Sequence, residues 1–147
     1  MAKVSLLFLI VTSFFGFAMV RTNGEVPVHQ FHQPDGQERW VAPESAKDLK
    51  NPQEANKKSV RAGAKLFKAR CQVCHGPKGE GNGPGSKGLD RPPANLSSAL
   101  VQDQVDGEIY WKISTGRGPM IKWGPILKKK DRWNLVNYIR TLADEAR

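Results

Sequence analysis

The chain is poor in the residues that build metal clusters. In 147 residues it has two cysteines, three histidines and three methionines. Cys71, Cys74 and His75 stand together, while His29 and His32 lie in a polar, proline-containing stretch. A structural zinc site takes four ligands, and this neighbourhood supplies three. No segment alternates apolar and polar residues beyond a few positions, which argues against a β-sheet fold. There is no basic helix interleaved with aromatics and no nucleic-acid-binding motif, so nucleic acid is not the expected partner of a chain with net charge +9.

There is one long hydrophobic run, Val4 to Val20. Lys3 precedes it, and small residues follow where a peptidase could cut, after Ala18 or Gly24. Residues 1–24 therefore read as a signal peptide, with an uncleaved anchor as the alternative. A run of seventeen residues, apolar except for Ser5, Thr12 and Ser13, is at the lower limit for crossing a bilayer, and Arg21 on the far flank opposes an orientation with Lys3 inside. With no cysteine near the cleavage region, lipid attachment there is excluded. Either way the remainder is expected to be exported. Removing residues 1–24 takes away Lys3 and Arg21 and no acid, so 23 basic residues become 21 against 14 acidic, a net +7. Such a domain suits an acidic protein partner or a phospholipid surface, with membrane contact through the N-terminal segment.

Residues 25–58 carry four prolines and no apolar period, and read as an extended strap or linker with Trp40, Val41 and Leu49 as its anchors. Residues 59–147 form the expected domain. Val60, Ala64, Phe67 and Cys71 recur at helical spacing behind Ser59 as N-cap. A second helix is expected in "DGEIYWKISTG", capped by Asp106 and stopped by Gly116, and a third from about Lys129 to Ala146. Between the first two lies a loop with six glycines and four prolines from Gly76 to Pro93. The fold class is thus all-α, with about three main helices joined by long loops. Loops of this length are uncommon in a small domain unless they wrap something. A large apolar prosthetic group would supply the missing core.

"CQVCH", Cys71 to His75, admits several chemistries. A thioredoxin-like dithiol needs a preceding strand, and here a helix precedes. A Cys71–Cys74 disulfide suits an oxidising compartment but leaves the histidine unexplained. C-x-x-C-H is the attachment signature of c-type haem. Two thiols add to the vinyl groups on one porphyrin edge, and the adjacent imidazole reaches the iron from the same side. For the sixth ligand, Met1 is the initiator and Met19 lies in the export segment, which leaves Met120. It sits in "TGRGPMIKWGPIL", 45 residues after His75, in a glycine- and proline-flanked loop rather than a helix. The other reading of a methionine is gap-filling core; His29 or His32 would require the strap to fold back over the ring.

These motifs, in this order, resemble class I cytochrome c of the small monohaem bacterial kind, over about residues 59–146. "GAKLF" resembles that family's first helix, where Gly63 lets two helices cross and Phe67 packs beside Tyr138 of the last helix. "RPPANL" resembles the segment whose proline carbonyl accepts the Nδ1–H of the haem histidine, here Pro92 or Pro93. "GRGPMIKWGP" resembles the distal methionine loop, with Met120 as the match and Trp123 as the aromatic near a haem propionate. The resemblance implies one haem c, attached through Cys71 and Cys74, with its iron between His75 and Met120. It also implies a single-electron carrier in the bacterial periplasm rather than an enzyme, working between redox proteins with acidic docking surfaces. Alternatives are a haem subunit of a larger respiratory or dehydrogenase complex, and a peroxidase or sensor should Met120 not bind. One departure is "LKKKDRW", which puts Lys128 to Lys130 at the positive end of a helix dipole. The run reads either as a solvated charge cluster or, with Lys68, Lys112, Arg117 and Lys122, as a docking patch.

Overall fold

The computed structural model describes residues 39–145. The expected signal segment and the first part of the strap lie outside the described residues. Among the described residues six α-helices follow in order: α1 (Glu44–Lys47), α2 (Lys57–Arg70), α3 (Gln72–His75), α4 (Ala99–Gln102), α5 (Asp106–Thr115) and α6 (Lys129–Glu145), with one 3-10 turn at Pro84–Ser86. No strand occurs among the described residues, only an isolated bridge between Arg117 and Met120. The class is all-α, and α2, α5 and α6 are the three expected helices.

The helix starts differ from expectation for local reasons. Asn56, not Ser59, caps α2: its side chain accepts the amides of Lys58 and Ser59, both at 3.0 Å. Ser59 reciprocates, its Oγ accepting the Asn56 amide at 3.1 Å, which is the capping-box arrangement one turn earlier. Asp106 is likewise the first residue of α5 rather than its cap. Glu108 takes the capping duty by accepting the Val105 amide at 3.0 Å. Asp106 instead pairs with Arg140 of α6 at 2.8 Å. Arg140 also donates to the carbonyls of Gln102 and Gln104, so one guanidinium ties the α4–α5 junction to the last helix.

Helices α2 and α6 cross where Gly63 lies against the Asn134 backbone. A Cβ at Gly63 would sit 2.7 Å from the Asn134 carbonyl carbon and 2.8 Å from Tyr138 Cβ, so only hydrogen fits. One turn on, the rings of Phe67 and Tyr138 meet with centroids 5.1 Å apart. Trp133, Leu135, Val136 and Ile139 of α6 join Phe67, Ile109, Ile113 and Trp123 in one core.

Residues 39–56 are packed onto this core. Val41 and Leu49, two of the expected anchors, are exposed, at 59% and 40%, while Ala42 and Ala46 are buried. Small side chains serve because α1 runs close to α5: a Cβ on Gly107 would overlap the Ala46 carbonyl and lie 2.8 Å from that of Leu49. The next stretch is held by polar groups. Asn137 of α6 is buried, accepts from Asn51 Nδ2 at 2.7 Å, and donates to the Gln53 carbonyl and Ser59 Oγ, each at 3.1 Å. Trp40, the third expected anchor, meets the edge of Trp111 with centroids 6.0 Å apart.

Candidate functional site

Helix α2 delivers Cys71 to the interior, and the chain then bends into the single turn of α3, which carries Cys74 and His75. The amides of Cys74 and His75 both donate to the Cys71 carbonyl, at 3.1 and 2.9 Å. Gly76, with φ of 77°, stops the turn in a conformation that a side chain would strain. The glycine-rich loop then folds back: Gly81 donates to the His75 carbonyl at 2.8 Å and Gly83 to that of Cys74 at 3.0 Å. The carbonyls of Cys71, Cys74 and His75 are therefore satisfied locally, leaving the Cys71 and His75 side chains to face a cavity.

That cavity has a volume of about 550 Å³, with walls from α2, α5 and α6 that include Phe67, Ile109, Ile113, Leu135 and Ile139. A second cavity of about 200 Å³ adjoins it and takes in Cys74, Pro92 and Pro93. Trp40, Cys71, His75, Ala94, Met120 and Trp123 line both. The lining is mainly apolar, and the larger volume lies within the roughly 300–1,000 Å³ typical of cofactor and ligand sites.

His75 Nδ1 lies 3.1 Å from the Ala94 carbonyl oxygen. With Nδ1–H donating there, the lone pair is on Nε2, the tautomer that binds a metal. Burial pushes the His75 pKa below its ordinary range, with the Ala94 contact opposing, so the ring is neutral at pH 7. The acceptor is not the carbonyl of Pro92 or Pro93, as "RPPANL" suggested. The Pro93 carbonyl is turned toward the glycine loop, where it presses on Gly81 so closely that no Cβ would fit there. The next carbonyl along the chain meets the imidazole.

The thiols of Cys71 and Cys74 are not joined by a disulfide. Burial, helped by Cys74, pushes the Cys71 pKa up to about 12, so it is a protonated thiol in an apolar setting. Among the described residues no three His, Cys, Asp or Glu side chains converge as a metal-ion cage would need.

Met120 sits at the end of a tight turn, its amide donating to the Arg117 carbonyl at 3.1 Å. Gly116, at φ 63°, permits this turn, since a Cβ there would lie 2.7 Å from the Lys122 amide nitrogen. The loop is then fastened to the end of α5: Trp123 donates to the Ile113 carbonyl at 3.2 Å and Gly124 to that of Ser114 at 2.9 Å. Trp123 is buried in the core. The structure thus brings Cys71, His75, Met120 and Trp123 to both cavities, and Cys74, Pro92 and Pro93 to the smaller one.

Two residues of the lining were not visible as such in the sequence. Trp40 stood out as an anchor of the strap, not as a pocket wall. Lys112, grouped by charge with a surface patch, is half-buried: its ammonium donates to Gln104 Oε1 and lies 5.7 Å from the Trp40 ring centroid. Burial lowers its pKa to about 8, against an opposing pull from Glu108. Lys68, Lys122 and Lys128 to Lys130 are exposed, as a solvated or docking patch requires.

An all-helical domain whose glycine-rich loop and methionine loop enclose an apolar cavity, with a C-x-x-C-H turn in its wall, defines the class of a c-type haem protein. The family model of cytochrome c matches residues 60–143, more than half of the chain, and the chain belongs to the cytochrome c family. Membership implies covalently bound haem c with its iron. A chain of the reducing HAO-like protein complex of Kuenenia stuttgartiensis has the same fold, with a TM-score of 0.58 at 21% identity. The likeness covers 78% of this chain and 53% of that one, so this chain spans about half the length of that neighbour. The c-type cytochrome KustC0563 is 28% identical over 54% of this chain and 95% of its own, with a TM-score of 0.46. Comparison with curated proteins gives no match.

The residues present fit the implied group. The cavity walls are apolar, two unpaired thiols stand three residues apart at the wall, and a neutral imidazole holds its lone pair on Nε2.

Proposed function

We propose that the chain is an exported monohaem cytochrome c that carries single electrons between protein partners. One observation carries the reading: Cys71, His75 and Met120 line the same two apolar cavities, with His75 held as the Nε2 base by the Ala94 carbonyl. Bound haem supplies a one-electron Fe(III)/Fe(II) couple. Cys71 and Cys74 would hold it through thioether bonds, and His75 and Met120 would supply the nitrogen and sulfur donors to its iron. Thioether with imidazole raises the potential relative to two stronger donors.

The chain's own residues do the rest. Ala94 fixes the tautomer and orientation of His75. The bonds from Trp123 and Gly124 to the end of α5 fix the methionine loop and so would hold the Met120 thioether in one place. The apolar walls limit water, and with His75 and Met120 both given to the iron there would be no open site for a substrate. By this reading the protein is a carrier and not an enzyme. Residues 1–24 serve export to the periplasm, and the exposed lysines Lys68, Lys122 and Lys128 to Lys130 meet an acidic redox partner.

A second reading, a haem subunit of a larger complex, draws on the fold shared with a chain of the HAO-like complex. Purification of the exported protein at native abundance separates the two: a carrier elutes alone, and a subunit elutes with its partner. The axial assignment is tested by the spectrum of the ferric protein. The weak long-wavelength Met–Fe(III) band is expected in the native chain and is lost in Met120→Ala, whose reduced form then binds CO at neutral pH. A native protein that lacks the band and binds CO overturns Met120 as ligand.

A further inference from the structure

The family model begins at residue 60, yet four residues of the segment ahead of it, Arg39, Trp40, Val41 and Lys47, line the larger cavity. Their placement is not accidental contact. α1 is seated on α5 at Gly107, and Asn51 is bonded to Asn137, so the segment has a fixed address on the domain. The fold likeness to the HAO-like complex chain also covers more of the chain than the family model does.

At this wall the structure gathers cations around one indole. The Lys112 ammonium is 5.7 Å and the Arg117 guanidinium 5.8 Å from the Trp40 ring centroid. Each gains from the ring's negative face. Lys112 is also near enough to Arg39 for the two charges to repel, and burial depresses its pKa further than Glu108 restores it. Glu108 cannot turn fully to it, since its carboxylate accepts the Val105 amide. A half-buried ammonium on the wall of an apolar cavity, facing another cation, is stabilised by an anion delivered from the cavity side.

Building on the haem reading above, we propose that the segment ahead of the family domain completes the pocket, with Trp40 as its wall and Lys112 and Arg39 receiving the carboxylates of the bound haem. The ligand chemistry is a carboxylate on an apolar body. The family resemblance places Trp123 near a propionate; the charged groups come from α5 and from the segment before the domain.

The test uses the haem-loaded, full-length protein, with the midpoint potential followed from about pH 4 to pH 8, where carboxylates titrate. In the native chain the two cations hold the propionates ionised, so their proton-linked transition lies at the acid end. Lys112→Met and Arg39→Gln each move that transition upward, by roughly tenfold or more in proton affinity, as expected on removing a close opposite charge. Trp40→Leu, which removes the ring that positions Lys112, moves it the same way, while Lys87→Gln on the exposed loop does not. Carbon-13 titration of Lys112 in the native holoprotein gives a second readout: its pKa returns above 8 toward the ordinary lysine range. Profiles of Lys112→Met and Arg39→Gln that overlay the native one, with haem content and spectrum unchanged, overturn the carboxylate site and leave the cytochrome reading intact. A native protein without covalent haem overturns both.

Discussion

Replacing Gly63 by alanine tests the helix crossing that sets the cavity. An alanine methyl would stand 2.7 Å from the Asn134 carbonyl carbon and 2.8 Å from Tyr138 Cβ, against an ordinary contact limit of 3.4 Å. Neither neighbour is a flexible side-chain end, so α2 and α6 must part by several tenths of an ångström or more. Separation loosens Phe67 against Tyr138 and the buried α6 residues Leu135 and Val136. Overpacking of this kind costs about 1–3 kcal/mol or more, and the gain in helix propensity of alanine over glycine returns at most about 1 kcal/mol. A net loss of about 2 kcal/mol lowers the melting temperature of a domain this size by roughly 8–16 °C. Thermal melting of the ferric holoprotein followed at 222 nm measures it. Because α2 ends at Arg70 and leads through Cys71 into His75, the haem spectrum should be perturbed as well. A Gly63→Ala protein that melts at or above the native temperature refutes the close crossing.

Three further outcomes follow from other contacts. Asn137→Ala removes a buried side chain with partners in Asn51, Gln53 and Ser59, and should cost about 2–4 kcal/mol by leaving several polar groups unpaired. Hydrogen exchange should then quicken first in residues 49–56; uniform protection would contradict the staple. Gly107→Ala should displace α1, because the added methyl overlaps the Ala46 carbonyl, and faster proteolysis between residues 39 and 50 reports it. Arg132 is buried, stacks over Tyr110 at 4.7 Å and leaves its Nε without a partner. Arg132→Met should therefore change stability by less than about 1 kcal/mol, whereas Arg132→Ala should cost about 2–4 kcal/mol through the cavity it leaves. Equal losses in chemical denaturation would show that the charge, not the packing, matters.

Local patterns made the three long helices and the C-x-x-C-H turn legible, because spacing and caps are written within a few residues. The differences arise where distant segments meet. Ser59 and Asp106 have the chemistry of N-caps, but Asn56 and Glu108 reach the amides, which frees Ser59 for Asn137 and Asp106 for Arg140. A run such as "WNLVNYI" carried a usable signal: an asparagine on the buried face of α6 must find a partner, and residues 51–59 supply it. Trp40 as a pocket wall and Ala94 as the His75 acceptor depend on how long loops fold, which periodicity does not encode. In the proline-rich loop the register differed by one residue, since the Pro93 carbonyl is already committed against Gly81.

Covalent attachment through Cys71 and Cys74 underlies the proposed function. The intact mass of the purified protein after acid–acetone extraction tests it most directly. The expected mass is that of the polypeptide plus one haem, with the haem lost when both cysteines are replaced by alanine. A native protein that extracts to the bare polypeptide mass would contradict it.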